Sequence, residues 1–279
     1  MRVVATSLPK SGTHLLVRLL ELLEFQERKP SLMASLVRIT ERNPIRRILK
    51  KSRLWHSSRD GDAGLMVDLD EPENRVRRQW LCRVLHAVPD HSFLKAHLPY
   101  SVEMESLLLS FGFKILFIIR DPRDVAVSYC NYVSKNARHP LYGHFRMLPD
   151  YPSRIRAVLN GCATPHGFIF SPLDHQLRNV LGWWRSKRTL NVRFEDLIGP
   201  NGGGNEAVQR QTVLRICEHL DVSATSIYLG HVAEQVFYCK ARTFHKGAIG
   251  SWKEYLDKEM LDTFEQHVGH LMGELGYAI

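Results

Sequence analysis

A lysine, two hydroxyl side chains and a glycine follow the first apolar strand, in the order Pro9-Lys10-Ser11-Gly12-Thr13. This composition is typical of a loop that binds an oxyanion such as phosphate. Gly12 lets the backbone pass close to the anion, and the first amides of the next helix point free N–H groups at it. Lys10, Ser11 and Thr13 add charge and hydroxyl donors. The lysine precedes the glycine, unlike in the G-x-x-x-x-G-K-[ST] loop, so an ordinary ATPase is disfavoured.

A second segment with anion-binding chemistry runs from Arg120 to Ser128, directly after the apolar run 114–119. Arg120 ends a predicted central strand, and Pro122 suits the first turn of a helix. Ser128 lies about two turns further along, so Arg120 and Ser128 could hold one phosphate between them. The alternative is a structural ion pair between Arg120 and Asp124, and the residues alone leave both open.

A third segment lies near the end of the chain, where His245, Lys246 and Gly247 form part of the run Phe244–Lys253. Lysine-glycine turns are common on protein surfaces. This segment therefore supports an anion-binding site only in combination with the other two.

The elements that must position these segments alternate between strand and helix. A near-continuous apolar run such as 114–119 is typical of a central parallel strand. The pattern predicts an α/β fold with a central, mainly parallel sheet flanked by helices, and a ligand at the carboxyl ends of the strands. We expect one domain over residues 1–279, with variable lid or substrate segments near 27–70 and 139–170, the latter irregular. The predicted strands are 92–95, 114–119 and 189–194, and the predicted helices are 15–23, 74–88, 102–110, 123–135, 174–187, 206–220 and 258–275.

Composition narrows the choice of ligand and partner. The 279 residues include 38 basic and 29 acidic side chains, a net charge of +9, which suits a polyanionic ligand, nucleic acid or an anionic surface. No nucleic-acid-binding motif accompanies the charge, so we expect no nucleic acid partner. The basic residues of segment 38–53 could dock an acidic partner or form an ordinary solvated face.

The sequence also carries expectations about location and metal. No run approaches the roughly 18 apolar residues of a membrane helix, and no leader-like sequence precedes the first strand. We therefore expect a cytoplasmic protein without a membrane span. The five cysteines are scattered, which predicts reduced thiols, and the histidines lack metal-ligand spacing, which predicts no metal site. Trp183 and Trp184 are expected in the core.

Taken together, the three segments resemble those of the cytosolic-type sulfotransferase family, which uses 3′-phosphoadenosine 5′-phosphosulfate (PAPS). The loop 9–13 is similar to the family's 5′-phosphosulfate loop, and Arg120 with Ser128 to its 3′-phosphate site. The segment 246–253 is similar to its R-K-G-x-x-G-D-W-K loop. Two further matches lie between them: Leu94–Pro99 is similar to K-T-H-L-P, and Trp183-Trp184 with Phe194–Leu197 to the W-W and Y-E-D stretches. The resemblance spans most of the chain and implies a P-loop NTPase-like fold.

The resemblance implies a role for each matching residue. Lys10 would stabilise the departing phosphate oxygen, and Lys95 would steady the transferred sulfuryl group. His97 would take the acceptor's proton, and Ser128 would restrain Lys10 until an acceptor arrives. Lysines replace a metal ion as charge partners, and the product nucleotide is 3′,5′-ADP. The implied nucleotide-binding set is Lys10, Ser11, Gly12, Thr13, His14, Arg120, Ser128, Phe194, His245, Lys246 and Gly247.

The chain departs from the family pattern at several positions. His14 and Leu15 replace Thr-Trp, which removes the usual aromatic shelf for adenine, and Phe194 stands in place of Tyr. His245 replaces the Arg that grips the 3′-phosphate, and Ser251 replaces Asp. The C-terminal dimer motif is matched only loosely, so the oligomeric state stays open.

The expected function is sulfuryl transfer from PAPS to a hydroxyl, in preference to an amine, of a small-molecule acceptor. One alternative is a P-loop small-molecule kinase in which Asp121 or Asp124 coordinates Mg²⁺. Another is a catalytically silent nucleotide-binding module that docks a partner through its basic face.

Overall fold

The computed structural model describes residues 1–28, 64–67, 69, 75–164, 168–223, 225–237 and 247–278. The basic segment 38–53, most of the predicted segment 27–70, and the predicted site residues His245 and Lys246 lie outside the described residues. The expectations for them therefore stay predictions.

The described elements alternate along the chain as the sequence predicted. The strands are β1 (Arg2–Ser7), β2 (Gln26–Glu27), β3 (Leu65–Met66), β4 (Arg75–Val76), β5 (Ser92–Ala96), β6 (Phe113–Ile119), β7 (Cys162–Ala163), β8 (Ile169–Phe170) and β9 (Thr189–Arg193). The α-helices are α1 (Thr13–Leu22), α2 (Arg78–His86), α3 (Val102–Ser110), α4 (Pro122–Lys135), α5 (Tyr142–Met147), α6 (Tyr151–Asn160), α7 (Leu173–Arg185), α8 (Phe194–Leu197), α9 (Glu206–His219), α10 (Ser226–Val236) and α11 (Lys258–Glu274). Short 3₁₀ turns cover Pro200–Gly202 and Ser251–Glu254.

The main sheet confirms the predicted parallel architecture. Its order is β2-β5-β1-β6-β9, and every neighbouring pair is parallel. Ala5 of β1 pairs with Lys95 on one side and with Leu116 on the other. The carboxyl ends of β1, β5 and β6 therefore lie side by side, although they are far apart in sequence. This strand order brings the predicted anion-binding segments to one edge of the sheet.

Helices cover both faces of the sheet because its strands are apolar on both sides. Along β6, Phe117 belongs to one buried cluster, and its neighbours Leu116 and Ile118 belong to the other. The first cluster includes residues of α3, α4, α6, α7 and α11, and the second includes residues of α1, α9 and α10. No helix among the described residues is long and apolar enough to cross a membrane.

The prediction of an irregular segment over 139–170 is wrong. The segment contains α5, α6 and the two-stranded antiparallel sheet β7-β8. Asp150 caps α6 by accepting a hydrogen bond of 2.8 Å from the Ser153 amide, and Pro152 lies in the first turn. Ile155 and Val158 are buried at helical spacing. The prolines and glycines of this segment bound short elements, where they are tolerated, and do not prevent them.

Two further differences from the prediction concern α2 and α10. The helix expected over 74–88 begins only at Arg78, because Arg75 and Val76 pair with β3 instead. The helix α10 was not predicted, and it packs on the side of the sheet that carries α1 and α9.

Candidate active site

The loop after β1 has the backbone of an anion cradle. Gly12 has φ 95° and precedes the first residue of α1, whose N-terminus receives no side-chain cap. A Cβ at Gly12 would lie 2.5 Å from Cδ2 of Phe194, so only glycine fits. The Ser11 hydroxyl is buried and has no hydrogen-bond partner among the described residues. Uncapped amides and an unpaired buried hydroxyl fit an oxyanion ligand.

His97 follows β5 and contacts the end of β1. Its Nδ1 lies 2.9 Å from the carbonyl oxygen of Ser7 and 3.2 Å from the Ser7 hydroxyl. A carbonyl only accepts, so Nδ1 carries the proton and donates it, which leaves Nε2 with a free lone pair. Burial, and then the positive charge of Lys95, lower the pKa of His97 to about 4, although the bond to Ser7 opposes this. At neutral pH this imidazole is an uncharged base.

A tryptophan fixes the segment that carries His97. The Trp183 indole donates a hydrogen bond of 2.8 Å to the carbonyl of Leu98, while the Leu98 amide donates to the Thr6 hydroxyl at 3.0 Å. The Tyr100 ring packs edge-on against Trp183 at 5.0 Å. Trp183 is fully buried in the core, as expected. In this position it also ties the residue next to His97 to the core.

Several basic groups gather beside the cradle. The Lys10 ammonium lies 4.3 Å from the centre of the Tyr132 ring, and burial and the Arg120 guanidinium lower the pKa of Lys10 to about 8. Partial burial and the ammonium groups of Lys95 and Lys10 lower the pKa of His14 to about 4. The concentration of positive charge favours a ligand with several negative charges.

Arg120 directly follows β6, and its guanidinium is held on several sides. Its Nη2 donates to the carbonyl of Ala248 at 2.7 Å and lies 3.3 Å from a carboxylate oxygen of Asp124. Its Nε is buried and has no hydrogen-bond partner in the described part of the chain. The ion pair offered as a structural alternative therefore exists, and the guanidinium still has one donor that no described residue satisfies.

Asp124 connects Arg120 to the loop near the C-terminus. Its two carboxylate oxygens accept hydrogen bonds of 2.9 Å from the amides of Gly250 and Trp252. The residue is buried, with 1% of its surface exposed. One carboxylate therefore orients both the arginine and the loop 248–252, which the sequence matched to the family's C-terminal motif.

The Phe194 ring joins the two cationic segments. It lies 4.2 Å from the Arg120 guanidinium carbon and occupies the space where a Gly12 side chain would be. The charge of Arg120 also lowers the pKa of Lys10. The segments after β1 and β6 thus flank one site.

The structure brings most of the predicted site residues to this edge of the sheet. Ser128 lies half-buried on α4, one turn before Tyr132, and the observed contact of the Lys10 ammonium is with the Tyr132 ring. Gly247 packs closely on the glycine-rich turn, since its carbonyl lies 2.7 Å from where a Gly202 side chain would begin. The residues that meet around the cradle and the end of β6 are Lys10, Ser11, Gly12, Thr13, His14, Lys95, His97, Arg120 and Phe194.

Sequence reasoning missed Tyr132 and Glu195 as members of the site. Glu195 accepts a hydrogen bond of 3.0 Å from the Asp121 amide at the start of α4 and one of 2.9 Å from the Tyr277 hydroxyl. Tyr132 follows Ser128 by four residues on a helix, a spacing that places both on one face. That spacing was the available signal for Tyr132.

The carboxylates assigned to Mg²⁺ in the kinase alternative have other partners. Both carboxylate oxygens of Asp121 accept hydrogen bonds from the Arg123 guanidinium, at 3.0 Å and 2.8 Å, and Asp124 pairs with Arg120. Within the described residues, no group of three or more His, Cys, Asp or Glu side chains is placed to hold a metal ion.

Comparisons with known proteins agree with the fold and the motifs. A family model described as Sulfotransferase domain matches residues 2–276. Sulfotransferase 1A1 of Mus musculus is 24% identical over 204 residues, which are 67% of this chain and 65% of that protein. The match therefore spans slightly less than two thirds of that relative.

Two solved structures share the fold. One is mouse sulfotransferase SULT7A1 complexed with PAP, which superposes with a TM-score of 0.58 at 19% identity. The superposition covers 97% of this chain and 84% of the mouse chain. The other is retinol dehydratase in a complex with retinol and PAP, which superposes with a TM-score of 0.56 at 16% identity. That superposition covers 97% of this chain and 81% of the dehydratase chain.

Proposed function

The chain belongs to the sulfotransferase family, as its motifs predicted, and from that premise we propose that it transfers the sulfuryl group of PAPS to a hydroxyl of a small-molecule acceptor. The observation that carries the proposal is the Phe194 ring in contact with both cationic segments. One adenosine donor with anionic groups at both ends can then span the site, with His97 beside its sulfur.

The donor would be held at its two ends by different means. The cradle residues Lys10, Ser11, Thr13 and His14, with the amides of α1, would bind the 5′-phosphosulfate. The free Nε of Arg120 would bind the 3′-phosphate, and Ser128, His245, Lys246 and Gly247 complete this end of the proposed set. The Ser11 hydroxyl and Arg120 Nε support this assignment, since each is a buried polar group without a hydrogen-bond partner among the described residues.

The reaction follows from the charges at the cradle. The acceptor oxygen attacks sulfur in line, a new S–O bond forms, and the bond between sulfur and the bridging phosphate oxygen breaks. His97 Nε2 takes the acceptor's proton, Lys95 stabilises the sulfuryl group, and Lys10 stabilises the charge that develops on the departing phosphate oxygen. As in phosphoryl transfer, alignment and charge stabilisation supply most of the rate acceleration.

The acceptor is proposed only by class. A related structure holds retinol, and another holds androsterone; each carries an oxygen function on an apolar skeleton. We propose a small hydroxyl compound of this kind, ahead of an amine. A cytoplasmic location is part of the proposal, in keeping with the free thiols of Cys82, Cys130, Cys162 and Cys217. An acidic partner at segment 38–53 is also retained as a proposal.

Calorimetry with nucleotides tests the donor assignment. We expect 3′,5′-ADP to bind more tightly than 5′-AMP or ATP, because only 3′,5′-ADP has a 3′-phosphate for Arg120. Equal affinity for 5′-AMP and 3′,5′-ADP would contradict the proposal.

Transfer of radiolabelled sulfate from PAPS to a panel of phenols and alcohols tests the reaction. His97→Ala should lower turnover by about 10²- to 10⁴-fold, the usual contribution of a general base, and leave 3′,5′-ADP affinity unchanged. A silent module would have no activity to lose. A kinase would use ATP and lose activity in EDTA, whereas sulfuryl transfer should persist.

A further inference from the structure

We propose that Tyr132 is a positioning residue for Lys10. The face of its ring contacts the ammonium group and takes the role that a carboxylate commonly has beside a buried lysine. The inference rests on the proposed function only where it concerns the donor. Its geometric basis is the distance of 4.3 Å between Lys10 Nζ and the centre of the Tyr132 ring. A cation at this distance from an aromatic face is attracted by the ring quadrupole.

The ring is fixed in place by its own neighbours. The Asn136 side-chain amide donates a hydrogen bond of 3.0 Å to the Tyr132 hydroxyl. The His139 ring packs edge-on against Tyr132, with centroids 5.6 Å apart and planes at 82°. The Tyr132 face is therefore a built surface, and its position does not depend on Lys10.

His139 is itself held, and its protonation state is defined. The Leu141 amide donates to His139 Nδ1 at 3.2 Å, so Nδ1 is the acceptor nitrogen of the ring. Burial and the charge of Lys10 lower the pKa of His139 to about 4. The ring behind Tyr132 is thus neutral at physiological pH and adds no charge beside the ammonium group.

Burial and a neighbouring cation disfavour the protonated form of Lys10. The guanidinium of Arg120 at the end of β6 and burial both lower the pKa of Lys10. From β5 and α1, Lys95, His97 and His14 add basic groups to the same region. In the part of the chain that the structure describes, no carboxylate forms an ion pair with Lys10. The Tyr132 ring is a contact in that part of the chain that favours the protonated lysine.

An aromatic partner suits a lysine that must bind an anion. A carboxylate would raise the lysine's pKa more strongly, but it would also repel the donor and compete with it for the ammonium group. The ring carries no net charge. Lys10 can therefore move onto the donor without breaking an ion pair, and the site keeps its full positive potential.

The test measures the pKa of Lys10 in the protein without nucleotide, by NMR of lysine labelled at Cε, in matched variants of residue 132. Tyr132→Phe keeps the ring and should leave the pKa within about 0.3 units of the wild type. Tyr132→Leu removes the ring and should lower the pKa by about one unit. Tyr142→Leu is the control, because it removes a tyrosine ring whose cationic neighbour, at 5.9 Å, is Arg146 and not Lys10.

A graded series covers the case in which Tyr132→Leu fails to fold. Phenylalanines with increasing ring fluorination at position 132 keep the shape and weaken the quadrupole, so the Lys10 pKa should fall stepwise along the series. A flat series, or an unchanged pKa in a folded Tyr132→Leu variant, would overturn the inference.

Kinetics separate positioning from mere structural support. If Tyr132 acts through Lys10, Tyr132→Leu should lower donor kcat/KM about fourfold more at pH 8 than at pH 6.5, because a pKa lowered by about one unit in the nucleotide-free enzyme matters only where Lys10 titrates. An equal loss at both pH values would indicate a structural effect and contradict the inference. The titration itself needs no donor, so a protein that shows the pKa shift yet fails to bind 3′,5′-ADP would refute the proposed function alone.

Discussion

Lys10 and Arg120 are two cations at one site, yet the protein holds them by opposite means. Arg120 is locked by the Asp124 carboxylate, the Ala248 carbonyl and the Phe194 ring. Lys10 rests on the ring of Tyr132, and its pKa is lowered to about 8. Arginine keeps its charge in any of these surroundings, whereas a buried lysine can lose it.

This difference matches what each end of the proposed donor would require. At the proposed 3′-phosphate site nothing would react, so a rigid guanidinium with a fixed orientation would be sufficient. At the proposed 5′-end, charge would develop as the sulfur–oxygen bond breaks, and an ammonium group that is not held in an ion pair could follow it. A fixed ion pair, as at Arg120, suits the binding of an anion, whereas an ammonium group without an ion pair among the described residues, as at Lys10, suits the stabilisation of developing charge.

Replacement of Lys10 should have the largest effect on turnover. Lys10→Met keeps the length and removes the charge, and we expect turnover to fall by about 10²- to 10³-fold, the usual loss when a stabilising donor is removed from developing charge. The affinity for 3′,5′-ADP, measured by calorimetry, should change far less. The control is Lys114→Met, which removes a surface lysine paired with Asp221. Near-normal turnover of Lys10→Met would contradict a role for Lys10 in the chemical step.

Replacement of Arg120 should affect binding instead of turnover. We expect Arg120→Ala to weaken 3′,5′-ADP binding by about 10- to 100-fold, the range for a lost charge-assisted hydrogen bond, with turnover at saturating donor largely retained. Burial already raises the pKa of Asp124, and loss of the Arg120 guanidinium should raise that pKa further. Arg210→Ala, on the exposed side of α9, controls for the loss of one positive charge. A large fall in saturated turnover would place Arg120 in the chemistry.

Substitution of Gly12 should disturb both cations, since it displaces the ring between them. Gly12→Ala forces a left-handed φ of 95° on a residue with a Cβ, which would lie 2.5 Å from Phe194. We expect the free energy of unfolding to fall by about 1–3 kcal/mol, measured by denaturant titration, together with a loss of nucleotide binding. Gly143→Ala is the control, because a Cβ there meets no atom within 4 Å. Equal stability of the two variants would contradict the close packing of the loop.

The smallest expected effect is a pH dependence that comes from Lys10 and not from Arg120. Lys10 must be protonated to act, and its pKa is lowered from 10.5 to about 8. Donor kcat/KM should therefore fall as pH rises above about 8, while kcat should fall at a higher pH, because a bound anion raises the pKa of the lysine. The limb should disappear in Lys10→Met. In Arg120→Ala it should persist but move to higher pH, because the Arg120 guanidinium helps to lower the pKa of Lys10. A profile that stays flat to pH 10 would contradict the lowered pKa.

Particular residues show which features of the site and fold could be predicted from the sequence. The cradle at Lys10 and Gly12 was predictable because its geometry is local: a strand, a glycine turn and a helix N-terminus lie within a few residues of each other. The contact of Lys10 with Tyr132 was not, because it joins the loop after β1 to a helix after β6. The helices of segment 139–170 were missed for a different reason, since their prolines and glycines at element ends look the same in sequence as those of a loop.

By itself the sequence determined the family, the parallel α/β architecture and most residues around the anion sites, because periodicity, turn chemistry and residue type are properties of short segments. The tertiary structure decided which of these residues touch: His97 Nδ1 donating to Ser7, Asp124 joining Arg120 to the C-terminal loop, and Tyr132 beneath Lys10. Those contacts depend on strand order and helix packing, which bring together segments tens of residues apart.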